Sequence, residues 1–231
     1  MPTTLLGLPT EIAMMFGASL LYIIGIAVTW RTYRGEPNEL MTAFMAFLVS
    51  MALALSLMAA AMLWGIPMLG MLGTVAILVG SVIMLRFPLS YLDPTKRSTM
   101  FAVSSVLAFL FLFFMMVVPA GQRLMADLVM WFMIIVNGVV VSLFMIQVCL
   151  VAQERWFKVK TIGGGAGIAS CCFVSHIAAL LGMVTVMAVF QFMAPIIIAS
   201  SIHLGKWLQK KQQPHILHGI LFFLPRARSR Q

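Results

Sequence analysis

Charge is what this chain has least of. Only 9% of its 231 residues are Asp, Glu, Lys or Arg, and six are acidic; a soluble domain carries about 25% charged residues. So little polar material cannot cover a water-facing globule, which excludes a soluble enzyme. Three cysteines exclude a disulfide scaffold, and the absence of apolar heptads flanked by charges excludes a coiled coil. What the chain has instead is apolar surface, 62% of residues with 21 methionines and a mean hydropathy of +1.07. That content excludes disorder and leaves an integral membrane protein.

The charges punctuate five uncharged stretches, residues 12–30, 40–85, 98–122, 128–153 and 161–205. One membrane crossing needs about 20 residues for a core of about 30 Å. Three stretches therefore cross once, and the two long ones must fold back. Breakers stand where those turns are needed: Gly65-Ile66-Pro67 in the second stretch and residues 190–195, ending in Pro195, in the last. The expected architecture is all-α and polytopic, a seven-helix bundle over residues 1–208 with spans at 11–31, 40–63, 68–88, 98–118, 126–152, 166–188 and 191–208. A basic cytoplasmic tail follows at 209–231. A β-barrel would need alternating apolar and polar residues, whereas Phe109-Leu110-Phe111-Leu112-Phe113-Phe114 is apolar on every face.

With seven spans, every Lys and Arg except Arg123 falls on one side of the membrane. Under the positive-inside rule this predicts the N-terminus outside and the C-terminus inside, in the cytoplasmic (plasma) membrane. Trp30, Tyr33, Tyr91, Trp156 and Trp207 form an aromatic belt at the inner boundary, with Trp64 at the outer one. The first ten residues contain no Lys or Arg, so the first helix is expected to be retained rather than cleaved as a signal peptide. Because insertion accounts for the basic residues, the net charge of +9 does not point to nucleic acid. The tail adds Lys210, Lys211, Arg226, Arg228 and Arg230 around the apolar run 216–224, bracketed by Pro214 and Pro225. Nine residues cannot span, but they can lie among anionic lipid headgroups or dock a soluble signalling partner.

The interior of the expected spans holds no Asp, Glu, Lys or Arg, since Glu11, Arg31, Arg86, Asp127 and Lys206 sit at span ends; this counts against a proton relay, a voltage sensor, a carboxylate-coupled transporter and a retinal Schiff base. The polar residues left are Asn137, Gln147, His176 and His203. Counted from span ends at 126 and 166, Asn137 and His176 lie at matching depths near the midplane and are expected within hydrogen-bond reach, directly or through one water. Gln147 and His203 form a second matched pair near the inner ends. These four either lock the bundle by interhelical hydrogen bonds or line a ligand pocket.

Cys149, Cys171, Cys172 and His176 do not make a metal site, since adjacent cysteines suit neither a disulfide nor a ligand pair. His176 and His203 differ too much in depth for a shared haem. Met41/Met45 and Met58/Met62 have a copper(I)-like spacing but fall on different helix faces. Gly163 and Gly167, and Ala178 and Gly182, are small-x-x-x-small pairs that let helices approach, and the run 163–167 lacks the Lys-Ser/Thr of a phosphate loop. Ser175 and His176 are sequence neighbours rather than a catalytic dyad. No cofactor and no catalysis are expected. The preferred reading is a non-catalytic subunit, scaffold or sensory module working with other membrane subunits; the alternative is a facilitator for a small neutral or apolar solute.

Overall fold

The structure is a computed structural model and describes residues 4–5, 8–33, 39–90, 94–117 and 123–212. A short antiparallel pairing of β1 (Thr4–Leu5) with β2 (Leu8–Pro9) leads into helix α1 (Thr10–Tyr33). Then follow α2 (Glu39–Trp64), α3 (Pro67–Met84), the single turn α4 (Arg86–Leu89), α5 (Pro94–Val117) and α6 (Arg123–Val151). Helix α7 (Arg155–Ile168) runs through a π-helical segment (Ala169–Val174) into α8 (Ser175–Leu180), and α9 (Val184–Gln212) closes the described chain.

Among the described residues, six helical stretches are long and apolar enough to cross a membrane: Thr10–Arg31, Met41–Trp64, Pro67–Leu89, Trp131–Val151, Arg155–Leu180 and Val184–Lys211. The described apolar part of α5 is the shorter Ser98–Leu110. The turn between α2 and α3 is made as its residues dictate. Gly65 takes φ +66°, and Pro67 occupies the first turn of α3, where the absent N–H would have had no partner.

The second fold-back differs from expectation. Residues 190–195 do not turn the chain: Pro195 is buried inside α9, and Leu181, Gly182 and Met183 make the turn, with Gly182 at φ +72°. A membrane helix tolerates an interior proline because neighbouring helices surround the freed backbone, whereas only glycine enters the left-handed region without cost. The preceding helix also begins earlier, at Arg155 rather than 166, and ends at Leu180 rather than 188. The glycines at 163–167 stay helical because they are packed. A Cβ on Gly163 would stand 2.0 Å from Ser201 Cβ, and one on Gly167 would stand 2.3 Å from Ile198 Cγ1, so α7 and α9 meet backbone to side chain. Close packing offsets the loss of about 1 kcal/mol that glycine brings to a helix interior.

The helices form a closed ring. α1 packs on α2, α2 on α3, α3 on α6, α6 on α7, α7 on α9, and α9 returns to α1, while α5 lies against α3 and α6 outside it. Ser19 Oγ donates to the Ala52 carbonyl at 2.8 Å and lies 2.7 Å from Ser56 Oγ, joining α1 to α2. Thr185 Oγ1 donates to Glu11 Oε1 at 2.9 Å, joining α9 to α1. Large apolar side chains such as Leu20, Phe109, Leu143 and Leu150 point outward, as a lipid-facing surface requires.

Candidate functional site

Helices α1, α2, α3, α6 and α9 of the ring, with α8 continuing from α7, meet around one small cavity. Met15 of α1, Met58 of α2, Thr74 of α3, Trp131 of α6, His176 of α8 and Gln191 of α9 contribute to its wall. Its volume is about 10 Å3, on the scale of a single water.

The polar chemistry of this wall originates in the π-helical segment. There the Ser175 N–H reaches back to the Ser170 carbonyl, five residues away, rather than to Cys171. The Cys171 carbonyl instead gathers side-chain donors. His176 Nδ1 lies 3.0 Å from it, Gln191 Nε2 donates to it at 3.0 Å, and the Ser175 hydroxyl also donates to it. Gln191 Nε2 further donates to Ser175 Oγ at 2.8 Å, and His176 Nδ1 lies 3.2 Å from the same oxygen. A carbonyl oxygen can only accept, so the amide of Gln191 is oriented with its nitrogen toward Cys171, and the imidazole carries its proton on Nδ1. His176 also meets the Trp131 ring edge-on, with centroids 5.5 Å apart. Opposite the π segment, α6 comes close because residue 138 is glycine; a Cβ there would stand 2.7 Å from Cys172 Cβ.

Asn137 and His176 are both buried but do not pair with each other. Asn137 Nδ2 donates to Ser81 Oγ of α3 at 3.1 Å, and Ser81 Oγ donates to the Leu78 carbonyl at 2.8 Å. The depth match fails because α7 starts at Arg155. Gly138 faces Cys172, so His176, about one helical turn further along, is level with Trp131 rather than with Asn137. The second matched pair also separates: Gln147 lies exposed on α6 and His203 exposed on α9. The four residues therefore do not line one pocket.

The packing residues divide as well. Ala178 is buried, but a Cβ on Gly182 would meet nothing within 4 Å, so that glycine serves its turn rather than a helix contact. Trp156, expected in the aromatic belt, is buried between α7 and α9 beneath Lys160, whose Nζ stands 4.7 Å from the indole ring. Lys160 is itself buried, with Nζ 3.5 Å from Gln209 Oε1. A Cβ on Gly205 would stand 2.4 Å from Lys160 Cγ, so only glycine admits this arrangement. Lys210 and Lys211 are exposed at the end of α9, and Lys211 Nζ is 5.2 Å from the Trp207 ring centre. Arg226, Arg228, Arg230 and the run 216–224 lie outside the described residues. Among the described residues, no group of three or more His, Cys, Asp or Glu side chains could hold a metal ion.

Gln191, Ser81, Thr74 and Trp131 join the site although none of them stands out in the sequence. Gln191 is the first residue of the expected span 191–208, beside the expected break at 190–195, so its place in the sequence reads as a span end rather than a buried interior position. With the turn at Gly182 instead, Gln191 stands well inside a helix, where a buried amide calls for a partner. No family model, no curated protein and no solved structure matches the chain.

Proposed function

We propose that the chain is a multi-pass membrane protein of seven spans, α5 included, with its N-terminus outside and its C-terminus inside, acting without catalysis as a subunit, scaffold or sensory module of a membrane assembly. The observation that carries this reading is the closed centre of the ring. A facilitator needs a solute-sized path of a few hundred cubic ångströms, and the central cavity is about 10 Å3. The interior hydrogen bonds run between helices or back onto their own backbone, as in a bundle built to hold a shape. The concentration of Lys and Arg at the ends α1-C, α5-N, α7-N and α9-C supports the orientation. The same basic edge, with Trp207 and Lys211, suits anionic headgroups of the plasma membrane, other membrane subunits or a soluble signalling partner at the cytoplasmic side.

Two measurements on the purified full chain test this. In proteoliposomes, stopped-flow light scattering should give glycerol and urea entry no faster than in empty liposomes. Native mass spectrometry from membrane vesicles should place the 25.4 kDa chain in an assembly of higher mass. Faster solute entry together with a purely monomeric chain would replace this reading by the facilitator.

A further inference from the structure

We propose that the central cavity is a binding site for one small neutral hydrogen-bond donor, a water molecule in the resting protein, held between Gln191 Oε1 and His176 Nε2. Gln191 is 3% exposed, and its Oε1 is a buried oxygen without a hydrogen-bond partner among the described residues. Both hydrogens of its amide nitrogen are already directed at the Cys171 carbonyl and Ser175 Oγ. His176, 5% exposed, directs its Nδ1 proton at Cys171 and Ser175, so Nε2 keeps its lone pair. The Thr74 hydroxyl donates to the Gly70 carbonyl at 3.1 Å. From these three side chains the wall offers lone pairs and no proton, the indole of Trp131 being the other polar side chain there, so a ligand held between Gln191 and His176 must donate.

Size and charge narrow the class. A cavity of about 10 Å3 admits a molecule of water size. No carboxylate lines it, so a retained cation would stand uncompensated in an apolar bundle, a costly arrangement. A neutral donor instead satisfies the amide oxygen and the imidazole nitrogen together. In hydrocarbon, where bulk water cannot reach, an unsatisfied carbonyl costs several kcal/mol. The bound molecule also joins α8 to α9 across the seam that the π segment opens, independently of whether the chain serves as a subunit.

Three methionines line the cavity, Met15, Met58 and Met187, and they make the site readable. X-ray radiolysis generates hydroxyl radical from a bound water and oxidises the nearest thioethers. The full chain in lipid nanodiscs, treated with chelator to remove adventitious metal, is irradiated and analysed by mass spectrometry. Met15 is 1% exposed, the same as Met84 and close to Met51 at 0%, so these two report background labelling at equal burial. The expected result is Met15 oxidation at least about fivefold above both; equal rates overturn the proposal. In Gln191→Leu the acceptor is gone, and Met15 oxidation should fall to the level of Met51. Undiminished Met15 oxidation in a folded Gln191→Leu protein would overturn the assignment to Gln191. If that variant does not fold, the comparison within the wild-type chain alone decides.

Discussion

Asn137 and Ser81 show how a single side chain ties distant parts of the ring. The bond from Asn137 Nδ2 to Ser81 Oγ, 3.1 Å long, joins α6 to α3 across 56 residues of sequence. Interhelical hydrogen bonds in membranes average about 0.6 kcal/mol and rarely reach 2, because the separated helices find other partners. A double-mutant cycle of Asn137→Leu and Ser81→Ala, followed by reversible unfolding in mixed micelles, should give a coupling energy in that range. Strict additivity would show that the bond contributes nothing. Asn137 was recognisable as a buried polar residue from its place in an apolar run. Its partner was not, because Ser81 is one of many small polar residues in membrane helices, and which of them faces α6 depends on helix rotation.

Among the elements, the α7–π–α8 rod determines most of the interior geometry. Its glycines are not equivalent, though they are consecutive in sequence. A Cβ on Gly163 would overlap Ser201, whereas one on Gly164 would meet only the flexible tip of Met145 at 3.5 Å. Gly163→Ala should therefore destabilise the protein by about 1–3 kcal/mol through overpacking. Gly164→Ala should be neutral or stabilising by up to about 1 kcal/mol, as helix propensity improves. Unfolding midpoints of the two variants in the same micelles check this; a reversed order would contradict the α7–α9 packing. The same rod carries the π segment that frees the Cys171 carbonyl for His176 and Gln191. Such single-turn π segments cluster at functional sites, and no residue pattern at 169–174 distinguishes one from an ordinary α-helical turn.

For the molecule as a whole, the ring closes by setting the first and last described helices side by side, with Thr185 at the start of α9 joined to Glu11 at the start of α1. The proposed topology of seven crossings predicts residue 121 outside and Gln209 inside. Single cysteines at those positions, in a background where Cys149 is replaced by alanine, should react with an impermeant maleimide from outside and from the cytoplasm respectively. Both reacting from one side, or the reverse assignment, would overturn the proposed topology. Cys171 and Cys172 are buried, at 0% and 1% exposure, so they leave this readout clean.

Composition and charge spacing alone determined that the chain is a helical membrane protein. They also located three of its helix connections near 31–39, 64–67 and 89–94, because burying a charge or breaking a helix in lipid is costly wherever it occurs. Tertiary structure decided what those rules leave degenerate. Gly182 and Pro195 were both capable of ending a helix, and packing chose the glycine for the turn and kept the proline inside α9. That choice brought Gln191 to the centre of the ring, while the start of α7 at Arg155 separated His176 from Asn137. Depth along a helix depends on where it begins, and its facing residues depend on where neighbouring small side chains let two backbones meet. Both are properties of the assembled bundle rather than of any one segment.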